Sequence, residues 1–474
     1  MKIKSYQIFA LGVALLCLGI PAFSAVRLPA LISNNMVLQQ GRPAAIWGWA
    51  GKGEVVTVSL GEQQYTAKAG DDGRWKVMLK KLKPGKILGM NVKGSSGNSI
   101  TVENILVGEV WICSGQSNMH WTFSKGHGVL NNETELANAN YDDIRIFTVV
   151  KGGAPEVAED TKGVWLTINR ENLLVDGENG ASALAYFFGR NLYQQLNVPV
   201  GLINTSVGGT TAERWTKREA LEASPDLKIL AGKGGASTLY NAMIAPLIPY
   251  TIRGVIWYQG ESNLDRAFQY RTLFPSMIAN WRSDWKQGDF PFGFVQIAPY
   301  RYKGQNPENW AELCEAQLMT LKNVPNTGMA VTMDIGDVGN IHPKNKQEVG
   351  RRLALWAMAK VYGSKQLVYS GPIYKSMKIK GNKIVLNFEH CGSGLTAGDG
   401  KSLLEFTIAG SDKVFLPGKA EIIGNTIVVS GDKVTNPVAV RYAWHDDAQP
   451  NLVNMEGLPA SPFRTDSWKG VTEK

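Results

Sequence analysis

Short apolar runs alternate with segments of helical periodicity over the central part of the chain, residues 105–365. Runs such as Ile252–Tyr258 and Phe292–Ile297 have the length of a buried strand, whereas Ala183–Leu196 and Asn345–Val361 repeat their apolar residues at helical spacing. A helix between successive strands returns the chain to the same end of the sheet, so the strands pair in parallel. We therefore predict an α/β domain with a mostly parallel sheet and helices on both of its faces. The predicted elements are, in chain order, helix Ala183–Leu196, strand Val198–Thr205, strand Ile252–Tyr258, helix Arg266–Trp285, strand Phe292–Ile297, helix Trp310–Leu321, strand Met329–Met333 and helix Asn345–Val361.

Residues 25–104 and 366–474 lack this alternation and instead carry short runs with a period of two. Trp75–Leu79 and Lys383–Phe388 are examples, and turn signals such as Asp72-Gly73 separate the runs. Several short strands joined by such turns are typical of a β-sandwich. At 474 residues the chain is long enough for more than one domain. We therefore predict a β-sandwich on each side of the central domain.

Residues 1–24 have the pattern of a secretory signal peptide. Lys2 and Lys4 give a positive start, Ile8–Ile20 is an apolar run, and small residues surround the expected cleavage site near Ser24 or Ala25. The apolar run is too short to span a bilayer, and no later stretch is long and apolar enough to do so. We therefore expect a protein that is exported to the periplasm or beyond it and that has no membrane span.

The charge and the cysteine content exclude several classes of partner. The formal net charge is +9, but the lysines and arginines are scattered, and without a dense basic cluster a nucleic-acid partner is not expected. The cysteines after residue 24 are Cys113, Cys314 and Cys391, which are too few for a disulfide framework. No Cys-x-x-Cys or His-x-x-x-His spacing occurs, so we expect no zinc site.

One strand of the central region runs into a turn that would expose a serine. The segment Gly108–Met119 has the composition of a buried strand and then turns at Gly115-Gln116-Ser117-Asn118. Gly115 permits a sharp turn because glycine adopts backbone conformations closed to other residues. Ser117 would then lie at the carboxyl end of a strand, where ligands bind in open α/β sheets. A serine after a glycine is more often a turn residue, so a role as nucleophile depends on the segments that follow.

A nucleophilic serine needs a base within hydrogen-bond reach. His342 lies between a predicted strand and a predicted helix, in the segment Asp334–Pro343, whose two aspartates can orient it. His120 is so close to Ser117 in sequence that it is better placed to shape the pocket. The remaining histidines lie in a loop or in the C-terminal β region, and they are His127, His390 and His445. We therefore predict His342 as the general base.

The serine also needs hydrogen-bond donors that face the oxyanion of the intermediate. The Gly208-Gly209 turn offers backbone N–H groups with no side chain in the way, and the N–H of Ser117 is a further donor. The turn after the next strand offers a side-chain amide from Gln259 or Asn263. These donors would converge if the strands before them are neighbours in the sheet.

The order of these motifs resembles that of the SGNH hydrolases, and most closely that of the sialate O-acetylesterase family. The matching residues are Gly115-Gln116-Ser117-Asn118-Met119, Gly208-Gly209-Thr210, Gln259-Gly260-Glu261-Ser262-Asn263 and Ile341-His342-Pro343, with Arg441–Trp444 and Gly457–Thr465 near the C-terminus. The resemblance spans nearly the whole chain after residue 24. It implies a three-layer, flavodoxin-like catalytic domain with Ser117 as nucleophile and His342 as base. It also implies a reaction that needs no metal ion or organic cofactor.

Two departures from the family pattern leave assignments open. Many SGNH enzymes carry the triad aspartate three residues before the histidine, and Gly339 stands at that position here. The acid is then Asp337, Asp334 or a residue more distant in sequence, with Asp337 preferred. The third motif lacks the usual Gly-x-Asn-Asp, so its amide is either Gln259 or Asn263.

The resemblance and the chemistry of the motifs predict a serine esterase that removes O-acetyl groups from sugars, with O-acetylated sialic acids as the first candidates. A sialic acid carries a carboxylate, which Arg214 can bind; alternatively Arg214 pairs with Glu213 or Glu261 and braces its loop. Trp121 and Trp215 can stack on sugar rings. The predicted substrate-binding residues are His120, Trp121, Arg214, Trp215 and Glu261.

Two other functions fit the sequence. The same chemistry can serve acetylated xylan or another polysaccharide, and the sequence does not separate these substrates. A carbohydrate-binding protein with two sugar-binding β-sandwiches and an inert central domain is the second alternative, although such a domain would need neither Ser117 nor His342. The oligomeric state is not predicted.

Overall fold

The computed structural model of the protein describes residues 25–124, 128–175 and 180–473. The predicted signal peptide, residues 1–24, lies outside these ranges, as does His127. Within the ranges, no helix combines the length and the apolar character that crossing a membrane requires.

The strands are short apart from β7. They are β1 Val37–Gln39, β2 Ala44–Trp49, β3 Val55–Leu60, β4 Gln63–Lys68, β5 Arg74–Leu79, β6 Gly85–Gly94, β7 Ser99–Gly115, β8 Asn140–Thr148, β9 Trp165–Asn169, β10 Val200–Ser206, β11 Gly254–Tyr258, β12 Phe292–Val295, β13 Thr327–Ala330, β14 Ile373–Lys380, β15 Lys383–Glu389, β16 Leu395–Ala397, β17 Phe406–Ala409, β18 Leu416–Pro417, β19 Lys419–Ile423, β20 Thr426–Ser430, β21 Ala439–Tyr442, β22 Leu452–Asn454 and β23 Phe463–Arg464.

Among the described residues, the α-helices lie in the central part of the chain. They are α1 Ser117–His120, α2 Asn132–Ala137, α3 Arg170–Leu173, α4 Ala183–Leu196, α5 Arg218–Glu222, α6 Lys228–Ala231, α7 Ala267–Trp285, α8 Glu308–Asn323 and α9 Lys346–Lys360. Short 3₁₀ segments at Ala212–Trp215, Ala245–Leu247 and Glu261–Arg266 and a π-helical turn at Tyr240–Ile244 connect them.

The central sheet has the order β13-β12-β11-β7-β10-β8-β9, and every neighbouring pair is parallel except β8 and β9. After β10 the chain crosses to β11 on the other side of β7. This change of direction is a topological switch point, and it opens a crevice at the carboxyl end of β7. The mostly parallel sheet of the prediction is thereby confirmed.

Helices cover both faces of this sheet, as two tryptophans on neighbouring strands demonstrate. In the parallel register Trp111 of β7 lies beside Gly254, whereas Trp257 of β11 lies beside Ser114, so the two indoles project from opposite faces. Trp111 packs edge-on against Phe188 of α4 and Trp356 of α9. Trp257 packs on Phe274 and Trp281 of α7. Both indoles are fully buried, and the three-layer arrangement follows from them.

Strand β7 is shared between the central sheet and the N-terminal β region. Its first part, Ser99–Val107, pairs antiparallel with β6, and its last part, Glu109–Gly115, pairs with β10 and β11. The strand therefore crosses the predicted boundary between residues 104 and 105 without a break. The N-terminal β region is joined to the strand that leads into the Ser117 turn.

The C-terminal β region consists of antiparallel sheets. Their strand orders are β14-β15-β20-β19, β18-β17-β21-β23 and β16-β22. The alternating burial of β15, in which Ile384, Leu386 and Phe388 face inward, is the period expected of a sandwich strand. The overall α/β class with a C-terminal β-sandwich agrees with the prediction.

Candidate active site

The turn after β7, residues 115–118 (the serine turn), is held by a very close approach to β11. Gly115 has φ +140°, and a Cβ at this position would lie 2.1 Å from the carbonyl oxygen of Tyr258. The next residue, Gln116, donates its backbone N–H to the same oxygen at 2.9 Å. Only glycine allows this approach, which places Ser117 at the first position of α1.

Ser117 and His342 meet at the carboxyl edge of the sheet. The distance from Ser117 Oγ to His342 Nε2 is 2.8 Å, a hydrogen bond between residues far apart in sequence. His342 lies in the loop between β13 and α9, residues 334–343 (the histidine loop). The side chain of Asn340 accepts the backbone N–H of His342 at 2.9 Å and fixes the loop locally. The two residues predicted as nucleophile and base are thus in direct contact.

Trp121, predicted as a sugar-stacking residue, lies against the imidazole of His342. Its ring is stacked on His342 with a centroid distance of 4.2 Å and an interplanar angle of 23°, and its Nε1 donates to the Gly128 carbonyl at 2.9 Å. His120, at the end of α1, contacts Lys151 through its Nε2 at 2.8 Å. Trp121 therefore restricts the orientation of His342, a role the sequence did not suggest.

The Gly208-Gly209 turn, predicted to supply oxyanion donors, lies close to Ser117. A Cβ at Gly208 would be 3.4 Å from Ser117 Cβ, so the glycine turn touches the serine. As the first residue of α1, Ser117 has an N–H without a partner in its own helix. Within the described ranges, the N–H groups of Gly208 and Gly209 make no hydrogen bond to the protein. These three donors are available to a ligand.

The two amides predicted as further oxyanion donors are used elsewhere. Gln259 is fully buried and donates to the Thr210 carbonyl at 3.1 Å and to Asn263 Oδ1 at 2.7 Å, which occupies both of its amide hydrogens. Asn263 donates to Glu213 Oε2 at 3.1 Å and accepts from the N–H of Ala212 at 3.0 Å. These bonds give both amides a structural role that braces the glycine turn, and they correct the prediction.

The two aspartates predicted as triad acids are likewise occupied. Asp334 forms a two-pronged ion pair with Arg352 of α9, with both N–O distances 2.6 Å. Asp337 accepts the backbone N–H of Gly339 at 2.9 Å within its own turn. Within the described ranges, neither carboxylate hydrogen-bonds to His342. The preference for Asp337 over Asp334 is therefore not supported, because local turn geometry and Arg352 direct these carboxylates elsewhere.

Two of the predicted substrate-binding residues are buried. Trp215 is 0% exposed, donates its Nε1 to Thr210 Oγ1 at 3.0 Å and packs edge-on against Trp257. Glu261 is 8% exposed, and its Oε1 accepts from Asn118 Nδ2 at 2.7 Å. Neither side chain is accessible to a sugar, and both assignments are corrected to structural roles.

Arg214 differs from these, because the acids that could neutralise it are paired with other groups. Glu213 is bound by Arg266 at 2.8 Å, and Glu261 by Asn118. Arg214 is partly exposed, its Nε lacks a hydrogen-bond partner, and it forms no ion pair with any described residue. The alternative in which Arg214 braces its loop through Glu213 or Glu261 is thereby excluded.

Comparisons with known proteins agree with this site. Residues 107–359 match the family described as carbohydrate esterase, sialic acid-specific acetylesterase. The chain is 33% identical to the sialate O-acetylesterase of Homo sapiens, over 92% of each protein, and 32% identical to that of Rattus norvegicus, over 88% of this chain and 89% of that one. A crystal structure of a carbohydrate acetylesterase from Xanthomonas citri superimposes with a TM-score of 0.86 at 38% identity, covering 94% of this chain and 100% of that one.

The chain belongs to the sialic acid-specific acetylesterase family. It is accordingly a carboxylic ester hydrolase of the carbohydrate esterase type, and the alternative of a carbohydrate-binding protein with an inert central domain is not favoured.

A buried polar cluster in this acetylesterase was missed by sequence reasoning. Lys346, the first residue of α9, is 1% exposed and donates to Asn118 Oδ1 at 2.7 Å, and Asn118 in turn donates to Glu261. Burial lowers the pKa of Lys346 from 10.5 to about 7, with a smaller opposing effect of Glu261, and burial raises the pKa of Glu261. A lysine in the first turn of a helix is usually exposed, so its sequence gave no signal of this burial.

Proposed function

We propose that this acetylesterase hydrolyses O-acetyl esters on sugars, and on sialic acids in particular, through an acyl-enzyme on Ser117. The observation that carries the proposal is the 2.8 Å hydrogen bond between Ser117 Oγ and His342 Nε2 at the switch point of the sheet. It supplies a nucleophile and a base in contact, which acyl transfer requires.

In the proposed reaction His342 takes the proton of Ser117 as Oγ attacks the acetyl carbonyl. In this proposal the tetrahedral oxyanion is stabilised by the N–H groups of Ser117 and of Gly208 or Gly209, and the close approach of Gly208 to Ser117 supports this role. His342 then protonates the sugar oxygen, and the sugar leaves. A water molecule, deprotonated by His342, attacks the acetyl-serine, and release of acetate restores the enzyme.

Two observations support a sialic acid as the sugar. The relatives from Homo sapiens and Rattus norvegicus are sialate O-acetylesterases. Arg214 follows the glycine turn in the segment Ala212–Trp215, is partly exposed and forms no ion pair with any described residue, so its guanidinium suits the carboxylate of a sialic acid. Acetylated xylan lacks that carboxylate on its main chain and leaves Arg214 without a partner.

The test measures acetate release from an aryl acetate and from an O-acetylated sialic acid by the wild type and by Ser117→Ala. We expect the variant to lose roughly 10⁶-fold in kcat on both substrates, as when a hydrolase loses its nucleophile. Ser276→Ala is the matched control, because its Oγ donates to the Thr272 carbonyl within α7. Full activity of Ser117→Ala would overturn the mechanism. Cleavage of aryl acetate and acetylated xylan, but not of the sialate ester, would overturn the assignment of sialic acid as the sugar.

Arg214→Met tests the substrate separately from the chemistry. Loss of a charge-assisted hydrogen bond of about 1.5–3 kcal/mol predicts a 10- to 100-fold rise in KM for the O-acetylated sialic acid. The kcat/KM for the neutral aryl acetate should stay within about twofold. Arg218→Met is the control, since Arg218 donates to the Ala231 carbonyl instead. Equal losses on the charged and the neutral ester would contradict a carboxylate-binding role.

We also propose that the protein is exported and that residues 1–24 are removed. The charged start, the apolar run and the small residues before Ala25 support this. Mass spectrometry of the protein recovered from periplasm and medium tests it. A cytoplasmic protein that retains Met1 would contradict the proposal.

A further inference from the structure

Asn118 connects the serine turn to the histidine loop. Its Nδ2 donates to the Ile341 carbonyl at 3.0 Å and to Glu261 Oε1 at 2.7 Å, and its Oδ1 accepts from Lys346 Nζ. Asn118 follows Ser117 in the chain, and Ile341 precedes His342. The side chain next to the nucleophile is therefore bonded to the backbone next to the base.

Lys346 bonds to the residue that follows His342 in the chain. Its Nζ donates to the Pro343 carbonyl at 2.8 Å as well as to Asn118 Oδ1 at 2.7 Å. The carbonyls of Ile341 and Pro343, on either side of His342, thus accept hydrogen bonds from the buried side chains of Asn118 and Lys346. Lys346 and Asn118 are each 1% exposed, so water does not compete for these bonds.

The chemistry of the cluster fixes the orientation of each group. Asn118 must direct its NH₂ toward Glu261 and Ile341, because the opposite orientation would set its oxygen against two acceptors. Lys346 has a pKa of about 7, and its uncharged amine carries two N–H groups, one for each of its two acceptors. Whether Lys346 is protonated or neutral, it can donate to both Asn118 Oδ1 and the Pro343 carbonyl.

We propose that Asn118, Lys346 and Glu261 form a positioning network that sets His342 against Ser117. None of the three touches the substrate; they act by holding the two loops in register. The inference rests on the proposed function, in which His342 activates Ser117. A misplacement of about 1 Å between reacting groups can cost about 100-fold in rate, so loss of the network should lower kcat strongly.

The test compares Asn118→Ala and Lys346→Met with the wild type on the aryl acetate. We expect kcat to fall 10- to 100-fold while KM changes less than threefold. The rate at which a fluorophosphonate labels Ser117 should fall by the same factor, because labelling needs the aligned base but no sugar site. The double variant should lose no more than the worse single variant, since either change opens the same connection.

Glu261 provides a conservative comparison if a variant of Asn118 fails to fold. Glu261→Gln keeps an oxygen that accepts from Asn118, whereas Glu261→Ala removes it. The kcat of Glu261→Gln should therefore be at least tenfold higher than that of Glu261→Ala. Lys360→Met, at the other end of α9, is the control for loss of a lysine and should stay within twofold of the wild type.

The outcomes separate the two proposals. If Ser117→Ala is fully active, the proposed function fails and this inference fails with it. If Ser117→Ala is inactive while folded Asn118→Ala and Lys346→Met keep the wild-type kcat and labelling rate, the positioning network alone is overturned.

Discussion

Lys346 is a residue of the site whose pKa lies far below its ordinary value. It is buried at the start of α9, with the rings of Trp121 and Tyr258 5.7 and 5.8 Å from its Nζ and the carboxylate of Glu261 on the other side of Asn118. Removal from water disfavours the ammonium form, and Glu261 restores only part of the loss. The residue therefore couples folding to pH in the neutral and alkaline range.

Lys346→Met should flatten the pH dependence of stability between pH 7 and 10.5. In this window the unfolded chain binds a proton at Lys346 that the folded chain does not, because the pKa is about 7 instead of 10.5. The lysine thus makes the free energy of unfolding rise with pH by up to about 1.4 kcal/mol per pH unit. Because of it, the fold is less stable below pH 7 than above pH 10.5. Urea unfolding at several pH values measures the slope. An unchanged slope in Lys346→Met, or an equal change in Lys360→Met, would contradict the assignment.

Trp121→Ala should lower kcat by about 2- to 10-fold, because an aromatic stack is worth about 0.5–1.5 kcal/mol and here it holds His342. Trp121→Phe retains a stacking ring and should lose less. Steady-state kinetics with the aryl acetate measure both. A loss confined to KM on sugar esters, with unchanged kcat on the aryl acetate, would indicate a sugar contact instead of a base-orienting one.

At the scale of elements, the part of the site around Ser117 is made by the ends of three neighbouring strands, and the loop after β13 adds His342. β7 leads into the serine turn, β10 into the glycine turn and β11 into the Gln259 segment, and these strands are adjacent in the order β11-β7-β10. The serine turn depends on Gly115, whose backbone lies against the last residue of β11. The pairing of β7 with β11 and the geometry of the serine turn therefore depend on the same residue, Gly115.

Gly115→Ala should destabilise the fold by roughly 3 kcal/mol or more, from a left-handed φ and a contact of 2.1 Å with the Tyr258 carbonyl. Gly61→Ala is the matched control, because Gly61 has φ +57° but open space around it. It should cost only about 1 kcal/mol. Chemical unfolding measures both variants. Equal costs would mean that the approach to β11 relaxes easily.

At the scale of the whole molecule, the C-terminal region is bound to the central domain by buried polar contacts. The carboxylate of Glu312 in α8 is 1% exposed and accepts the backbone N–H groups of Val471 (2.5 Å) and Thr472 (3.0 Å) and the hydroxyl of Thr472. In a second such contact, Asp446 accepts the N–H of Tyr302 at 2.7 Å. The chain end thus returns to the domain that carries Ser117.

Glu312→Ala should destabilise the protein by about 3 kcal/mol, because three donors of the C-terminal segment lose their buried acceptor. Truncation after Lys469 removes the three donors themselves and leaves Glu312 in place. The cost of the two changes together should be less than the sum of their separate costs, and urea unfolding of the four proteins measures this coupling. Additive costs would show that the segment does not depend on Glu312.

The elements were predictable where periodicity and burial coincide. The predicted helix Ala183–Leu196 matches α4 in both bounds. The predicted Arg266–Trp285 differs from α7 by one residue at its start, and Asn345–Val361 differs from α9 by one residue at each end. Strand ends were less well placed: Met329–Met333 was expected, whereas β13 is Thr327–Ala330. Local apolar spacing specifies a helix face, but a strand ends where its neighbour stops pairing.

The sequence by itself determined the α/β class, the family and the segments that carry Ser117, Gly208 and His342, because these depend on local periodicity and on motifs at strand ends. Only the tertiary structure decided which polar side chains remain available. Gln259, Asn263, Asp334 and Glu261 all belong to plausible motifs, yet each is bonded to a side chain or carbonyl from another segment. Trp215 is likewise buried, packed edge-on against Trp257 of β11. Conversely, Asn118 and Lys346 became candidates only when the fold brought the start of α9 against the serine turn. A buried polar group takes the partner that folding places beside it, and that partner is not encoded in the residues on either side.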